Sequence, residues 1–168
     1  YLLGEASTDG FWYYFPVALA SKVGLATLAL VALTVLFRPR QAFHAPLLAA
    51  LGLLMLSPGY RVQIGVRFVL PIVALAVVGA AIAWMHGAWL NTAAAWRRRA
   101  AIATAALLLV GTTCETWQAY PHSLCFTNAL FGGTQNGNLT LCESNYDWGQ
   151  GLGEVDAWQH QHGPPPMN

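Results

Sequence analysis

The chain has 168 residues, of which 56% are hydrophobic and only 9% charged, against roughly 25% charged residues in soluble domains. A soluble core of this size cannot hide that much apolar surface, so an integral membrane protein is expected. The formal net charge is +1, yet all eight basic residues lie at or before Arg99, and an exposed basic patch for nucleic acid is thereby excluded.

Tyr1 stands where a methionine would begin a chain, and no basic stretch precedes the first apolar run. A segment of a longer protein is therefore expected, rather than a secretory signal peptide. The first span is expected over residues 16–37, entered through Phe11-Trp12-Tyr13-Tyr14-Phe15. Such a block of aromatics fits a membrane-water belt, and Pro16 suits the first turn of a helix. Arg38-Pro39-Arg40 ends it. A second span is expected over residues 42–57, although its apolar run is shorter than the ~20 residues that cross comfortably, so a re-entrant segment is the alternative. Ser57-Pro58-Gly59-Tyr60 reads as a turn. The third span is expected over residues 66–84 and the fourth over residues 100–117, after Arg97-Arg98-Arg99. The fold class is thus an all-α membrane protein: a four-span block over residues 1–117, then an acidic, irregular and helical extracytoplasmic tail over residues 118–168. The triple proline Pro164-Pro165-Pro166 cannot continue a helix and should end the last run.

Four crossings place Arg38, Arg40 and Arg97 to Arg99 on one side, with Arg61, Arg67 and both termini on the other. Positive charge marks the cytoplasmic face. Integral insertion in a plasma (inner) membrane is expected, with both termini of this segment extracytoplasmic.

Three cations oppose the charge rule: Lys22, Arg61 and Arg67. One explanation is snorkelling, with the Lys22 stem in lipid and its ammonium among headgroups. The other is that all three face a lipid phosphate, whose oxygens suit arginine's fork. In the tail, Asn145, Asp147, Trp148 and Gln150 gather amides, a carboxylate and an aromatic face, as a sugar-binding surface does; an ordinary polar turn around one buried tryptophan accounts for the same residues. Cys125 and Cys142 leave both a disulfide and two free thiols open. Gly149-x-Gly151-x-Gly153 lacks the strand and spacing of a dinucleotide loop. His160-x-His162 lacks partner ligands, so no metal and no cofactor are expected. Asn138-Leu139-Thr140 is a glycosylation sequon by pattern alone.

An ordered series of motifs resembles the C-terminal part of bacterial glycosyltransferase family 39 proteins, membrane relatives of the protein O-mannosyltransferases. The series opens with Leu3-Gly4-Glu5-x-Ser7-Thr8-x-Gly10-x-Trp12-Tyr13-Tyr14-Phe15-Pro16 and Lys22, and continues with Arg67-Phe68-Val69-Leu70-Pro71. It ends with Tyr120-Pro121-His122, Asn128, Gly132-Gly133, Asn136-Gly137 and Ser144-Asn145-x-Asp147-Trp148-Gly149-Gln150. The chain departs from the family at Lys22-Val23-Gly24, where Lys-Thr-Pro is usual, and at Gln150-Gly151, where Gln-Asp is usual. The resemblance implies transfer of a sugar from a polyprenyl-phosphate donor to a protein or lipid acceptor at the outer membrane face. Lys22, Arg61 and Arg67 would then bind the lipid phosphate, and Glu5, Asn145, Asp147, Trp148 and Gln150 the substrate. The family's catalytic acid lies in an earlier loop that nothing here matches, so the catalytic residue is unknown and expected upstream. The competing expectation is a non-catalytic four-span protein whose external tail binds glycans or a partner protein.

Overall fold

The computed structural model describes residues 1–60, 62–63, 65–85, 94–141, 145–146 and 148–163, with Arg97 described by its backbone alone. Arg61 and Asp147, both candidate site residues, and Cys142 lie outside the described residues. The described chain is helical: α1 (Tyr14–Lys22), α2 (Leu25–Phe37), α3 (Pro39–Ala42), α4 (Ala45–Leu56), α5 (Leu70–Met85), α6 (Ala95–Ala119), α7 (Gly133–Asn136) and α8 (Leu152–His162), joined by short 3-10 turns. No strand is formed among the described residues; Leu2 and Glu5 make one isolated bridge.

Proline sets several helix starts. Pro16, Pro39, Pro46 and Pro71 all sit in first turns, where the missing N–H has no intrahelical partner to lose. Residues Val66–Met85 and Arg98–Ala119 are long and apolar enough to cross a membrane, and their bounds follow the third and fourth expected spans closely. The first expected span is different. It is broken between Lys22 and Leu25, and α1 and α2 are bent by 112° at that point. Among the described residues the helices able to cross therefore number two, or three if the bent pair is one span; Ala45–Gly59 is apolar but shorter.

The four longer apolar helices after the break alternate in direction. Glu115, near the end of α6, meets Leu25 at the start of α2 (2.8 Å), so these two run antiparallel. Trp84, near the end of α5, donates Nε1–H to Thr34 near the end of α2 (2.9 Å), so these two run parallel. α4 packs along α5 and returns the chain to the level of α1. Small residues let this pair approach closely, as membrane helices do: a Cβ on Gly79 would meet Leu47 at 2.7 Å. α6 packs along α2 by one face and is otherwise open: none of its spanning window is buried, and Leu107, Leu109 and Val110 are exposed. Surface of that kind is at home in lipid or against further protein, not in water.

One end of this bundle carries Arg38, Arg40, Arg98 and Arg99 on the starts and ends of helices. The other end is a cap. There α1 lies against the turns Ser57–Gly59 and Val66–Val69, and the buried cluster gathers Leu2, Tyr14, Phe15, Leu19, Val69 and Leu141. The N-terminal segment is tied to the tail by Leu3 N–H donating to the Thr140 carbonyl (2.9 Å). Gln63 grips the Phe11 backbone with both ends of its amide (2.8 and 2.7 Å). The tail is thus part of the cap rather than a free appendage.

Candidate functional site

Lys22 is the last residue of α1, and the chain turns away immediately after it. The ammonium does not run out along the helix. It donates to the carbonyls of Asn145 (2.7 Å) and Leu124 (3.2 Å), and stands 3.9 Å from the centre of the Tyr146 ring. An ammonium has three N–H donors, and two of them are taken by carbonyl oxygens among the described residues. The ring face favours the cation electrostatically. Tyr146 is itself fixed, its hydroxyl bonded to Thr127, and burial raises its phenol above the usual range.

Arg67 enters from the Val66–Val69 turn. Its guanidinium stacks 4.4 Å from the Trp148 ring centre and 5.1 Å from that of Phe68. The ring attracts the cation without taking its N–H groups, which stay suited to an anion. Arg67 makes no hydrogen bond or ion pair among the described residues. Lys22, Arg67 and Trp148 line one cavity of about 380 Å³, together with Gly65, Leu70 and Leu124. Its described lining holds two cations and no carboxylate.

Asn145 is where the two cations are joined. It is 2% exposed, its Oδ1 accepts the Val66 N–H (3.0 Å), and its Nδ2 donates to the Tyr14 hydroxyl (3.0 Å). Its carbonyl holds Lys22. The side chain read from sequence as a sugar ligand is therefore engaged within the protein, setting the Arg67 turn against α1. Gln150 is likewise a brace: its Oε1 accepts the Trp148 N–H (2.7 Å) and its Nε2 donates to the Tyr146 carbonyl (2.6 Å). Trp148 is exposed and offers its ring. Glu5 is exposed on the N-terminal segment and does not line this cavity. Cys125 is a free thiol whose Sγ lies 3.2 Å from the Tyr146 carbonyl oxygen.

Beside the cap, an apolar groove of about 730 Å³ runs between α1, α2, α4 and α5, from Pro16 and Leu19 at the cap to Pro39 and Phe43 at the opposite end. The described residues hold no group of three or more potential metal ligands. No protein-family model, curated protein or solved structure matches the chain.

Sequence reasoning missed Tyr146, Leu124 and Thr127 as parts of the Lys22 environment. It also passed over Glu115, although a lone acid inside an apolar run is a signal by itself. Leu124 acts through its carbonyl, which no side-chain pattern can reveal.

Proposed function

We propose that this chain is the carrier-binding part of a polyprenyl-phosphate-sugar-dependent, mannosyltransferase-like glycosyltransferase, with Lys22, Arg61 and Arg67 on the lipid phosphate. The observation that carries it is the shared cavity: the Lys22 ammonium, the Arg67 guanidinium over the Trp148 ring, and the exposed remainder of that ring. A phosphate monoester or diester matches the two cations, and an aromatic face beside them suits a pyranose ring. The nearby apolar groove has the lining an isoprenoid chain requires. The motif series that resembles glycosyltransferase family 39 supports the same chemistry. In it, α2, α4, α5 and α6 cross a plasma (inner) membrane, the arginine end is cytoplasmic, and the cap with both termini of this segment is extracytoplasmic.

The chemistry asked of these residues is electrostatic. An acceptor hydroxyl gives its proton to a carboxylate acting as base, the residue that the resemblance places upstream, and attacks the anomeric carbon of the donor; the bond to the phosphate oxygen breaks, and polyprenyl phosphate leaves. Cations already seated on the phosphate stabilise the charge that develops on it. Asn145 and Gln150 hold these groups in place, while Trp148, Asp147 and Glu5 remain the candidates for touching sugar or acceptor.

Membranes carrying the complete protein, with the upstream part that the reading requires, and supplied with a polyprenyl-phosphate sugar, test this directly. Arg67→Ala should lower kcat/KM by roughly 10- to 100-fold, the worth of one charge-assisted hydrogen bond, with Arg61→Ala acting in the same direction. Unchanged turnover in both, at equal membrane levels, removes the phosphate role. The other reading, a non-catalytic protein with a glycan-binding tail, needs the tail to act alone; here the tail is built into the cap through Asn128, Thr140 and Asn145, which favours the first.

A further inference from the structure

The break between α1 and α2 is held by two side chains from distant parts of the chain. A helix break leaves the last carbonyls of one helix and the first amides of the next without intrahelical partners. In apolar surroundings those groups have to be met by protein. Here both sides are met. Asn128, a buried residue of the tail, donates Nδ2 to the carbonyls of Ala20 (2.6 Å) and Val23 (2.9 Å). Its backbone N–H donates to the Ser21 carbonyl (2.9 Å). From the other side, Glu115 of α6 accepts the N–H of Leu25, the first residue of α2, at 2.8 Å. Gly24 leaves room for this, since a Cβ there would overlap the Glu115 carboxylate.

Lys22 lies between the carbonyls that Asn128 grips. The grip has a price: the Asn128 Oδ1 is buried with no hydrogen-bond partner among the described residues. An unsatisfied buried acceptor in a native structure calls for a reason. The reason offered by the geometry is that the amide is oriented for the two carbonyls of the break, at the expense of its own oxygen. We infer that Asn128, with Glu115 opposite it, is a positioning residue for the anion site, fixing the helix break so that Lys22 delivers its ammonium to the cavity it shares with Arg67. This rests on the phosphate reading of that cavity, and adds the tail and α6 as the parts that set its geometry.

The test uses the full chain in detergent or membranes, with a sugar-free polyprenyl monophosphate as the probe and the matching polyprenol as its uncharged control. Lys22→Ala should weaken binding of the phosphate about tenfold and leave the alcohol unchanged. Asn128→Ala should lose a comparable factor, again for the phosphate alone. The double variant should bind no more weakly than Lys22→Ala, because a residue acting through Lys22 then has nothing left to place. Losses that multiply in the double variant, or unaltered binding by Asn128→Ala, overturn the positioning role and leave the phosphate site standing. Unaltered phosphate binding by both Lys22→Ala and Arg67→Ala overturns the phosphate site itself, and the role with it. Should Asn128→Ala fail to reach the membrane, Glu115 gives the same test from α6. Glu115→Gln keeps an oxygen for the Leu25 amide and should bind normally, while Glu115→Ala should lose the phosphate and keep the alcohol; equal phosphate binding by the two overturns the role.

Discussion

At Arg67 the side chain's chemistry and its support come from different places: the guanidinium from the turn after α4, the Trp148 ring beneath it from the tail. A guanidinium stacked on indole gains roughly 0.5–2 kcal/mol from the contact, and the plane is oriented before any anion arrives. Trp148→Ala should therefore raise KM for a polyprenyl-phosphate sugar about 3- to 30-fold, by the same energy. Trp148→Phe should recover part of the loss, because a smaller face still supports the plane. A steady-state titration of the donor in membranes reads both; a KM unmoved by Trp148→Ala would mean that the stack has no part in donor binding. The sequence named both partners, from motif and composition, but for different roles and without their contact. Asn145 shows the opposite case. Its position was legible, yet an amide is equally suited to a sugar hydroxyl and to groups of the protein itself, and only the partners Val66 and Tyr14 decide between them.

Among the helices, α5 and α6 were legible because each is a uniform apolar run bounded by proline or arginine, and hydropathy needs nothing more. The first span was not, because the apolar run passes straight through Val23 and Gly24. The groups that satisfy the break sit at Glu115 and Asn128, far along the chain, where no local window reaches them. Helix packing separates glycines in the same way. Gly79 of α5 faces Leu47 of α4, where a Cβ would lie 2.7 Å from the side chain and 3.0 Å from the backbone nitrogen, while Gly52 of α4 has open space. Gly52→Ala should stabilise by roughly 0.5–1 kcal/mol through helix propensity alone. Gly79→Ala gains the same propensity but forces the helices apart, and overpacking of this sort costs about 1–3 kcal/mol. Thermal unfolding in detergent should move upward for the first and downward for the second; movement in the same direction would mean that α4 and α5 do not pack this closely.

For the whole molecule, the proposed four crossings have to accommodate two short helices. At 1.5 Å per residue α4 is about 18 Å long and α2 about 20 Å, against a hydrocarbon core of about 30 Å. Short helices cross by thinning the bilayer locally or by sheltering among longer neighbours. α5 and α6 are such neighbours, and α5 packs against both α2 and α4. A re-entrant α4 would bring Val62 back to the side of Gln41, whereas a crossing α4 delivers it to the cap, against which the adjoining turns already pack. Cysteine labelling distinguishes these outcomes. With Cys114, Cys125 and Cys142 replaced by serine, single variants Ser7→Cys, Gln41→Cys and Val62→Cys would be treated on intact cells with a membrane-impermeant maleimide. Four alternating crossings predict labelling of Ser7→Cys and Val62→Cys from outside, and of Gln41→Cys only after permeabilisation. Protection of Val62→Cys until the cells are opened would make α4 re-entrant and separate Arg67 from the cap. The cavity shared by Lys22 and Arg67 requires both on one side of the membrane, so the fold and the proposed phosphate site stand or fall together on that one position.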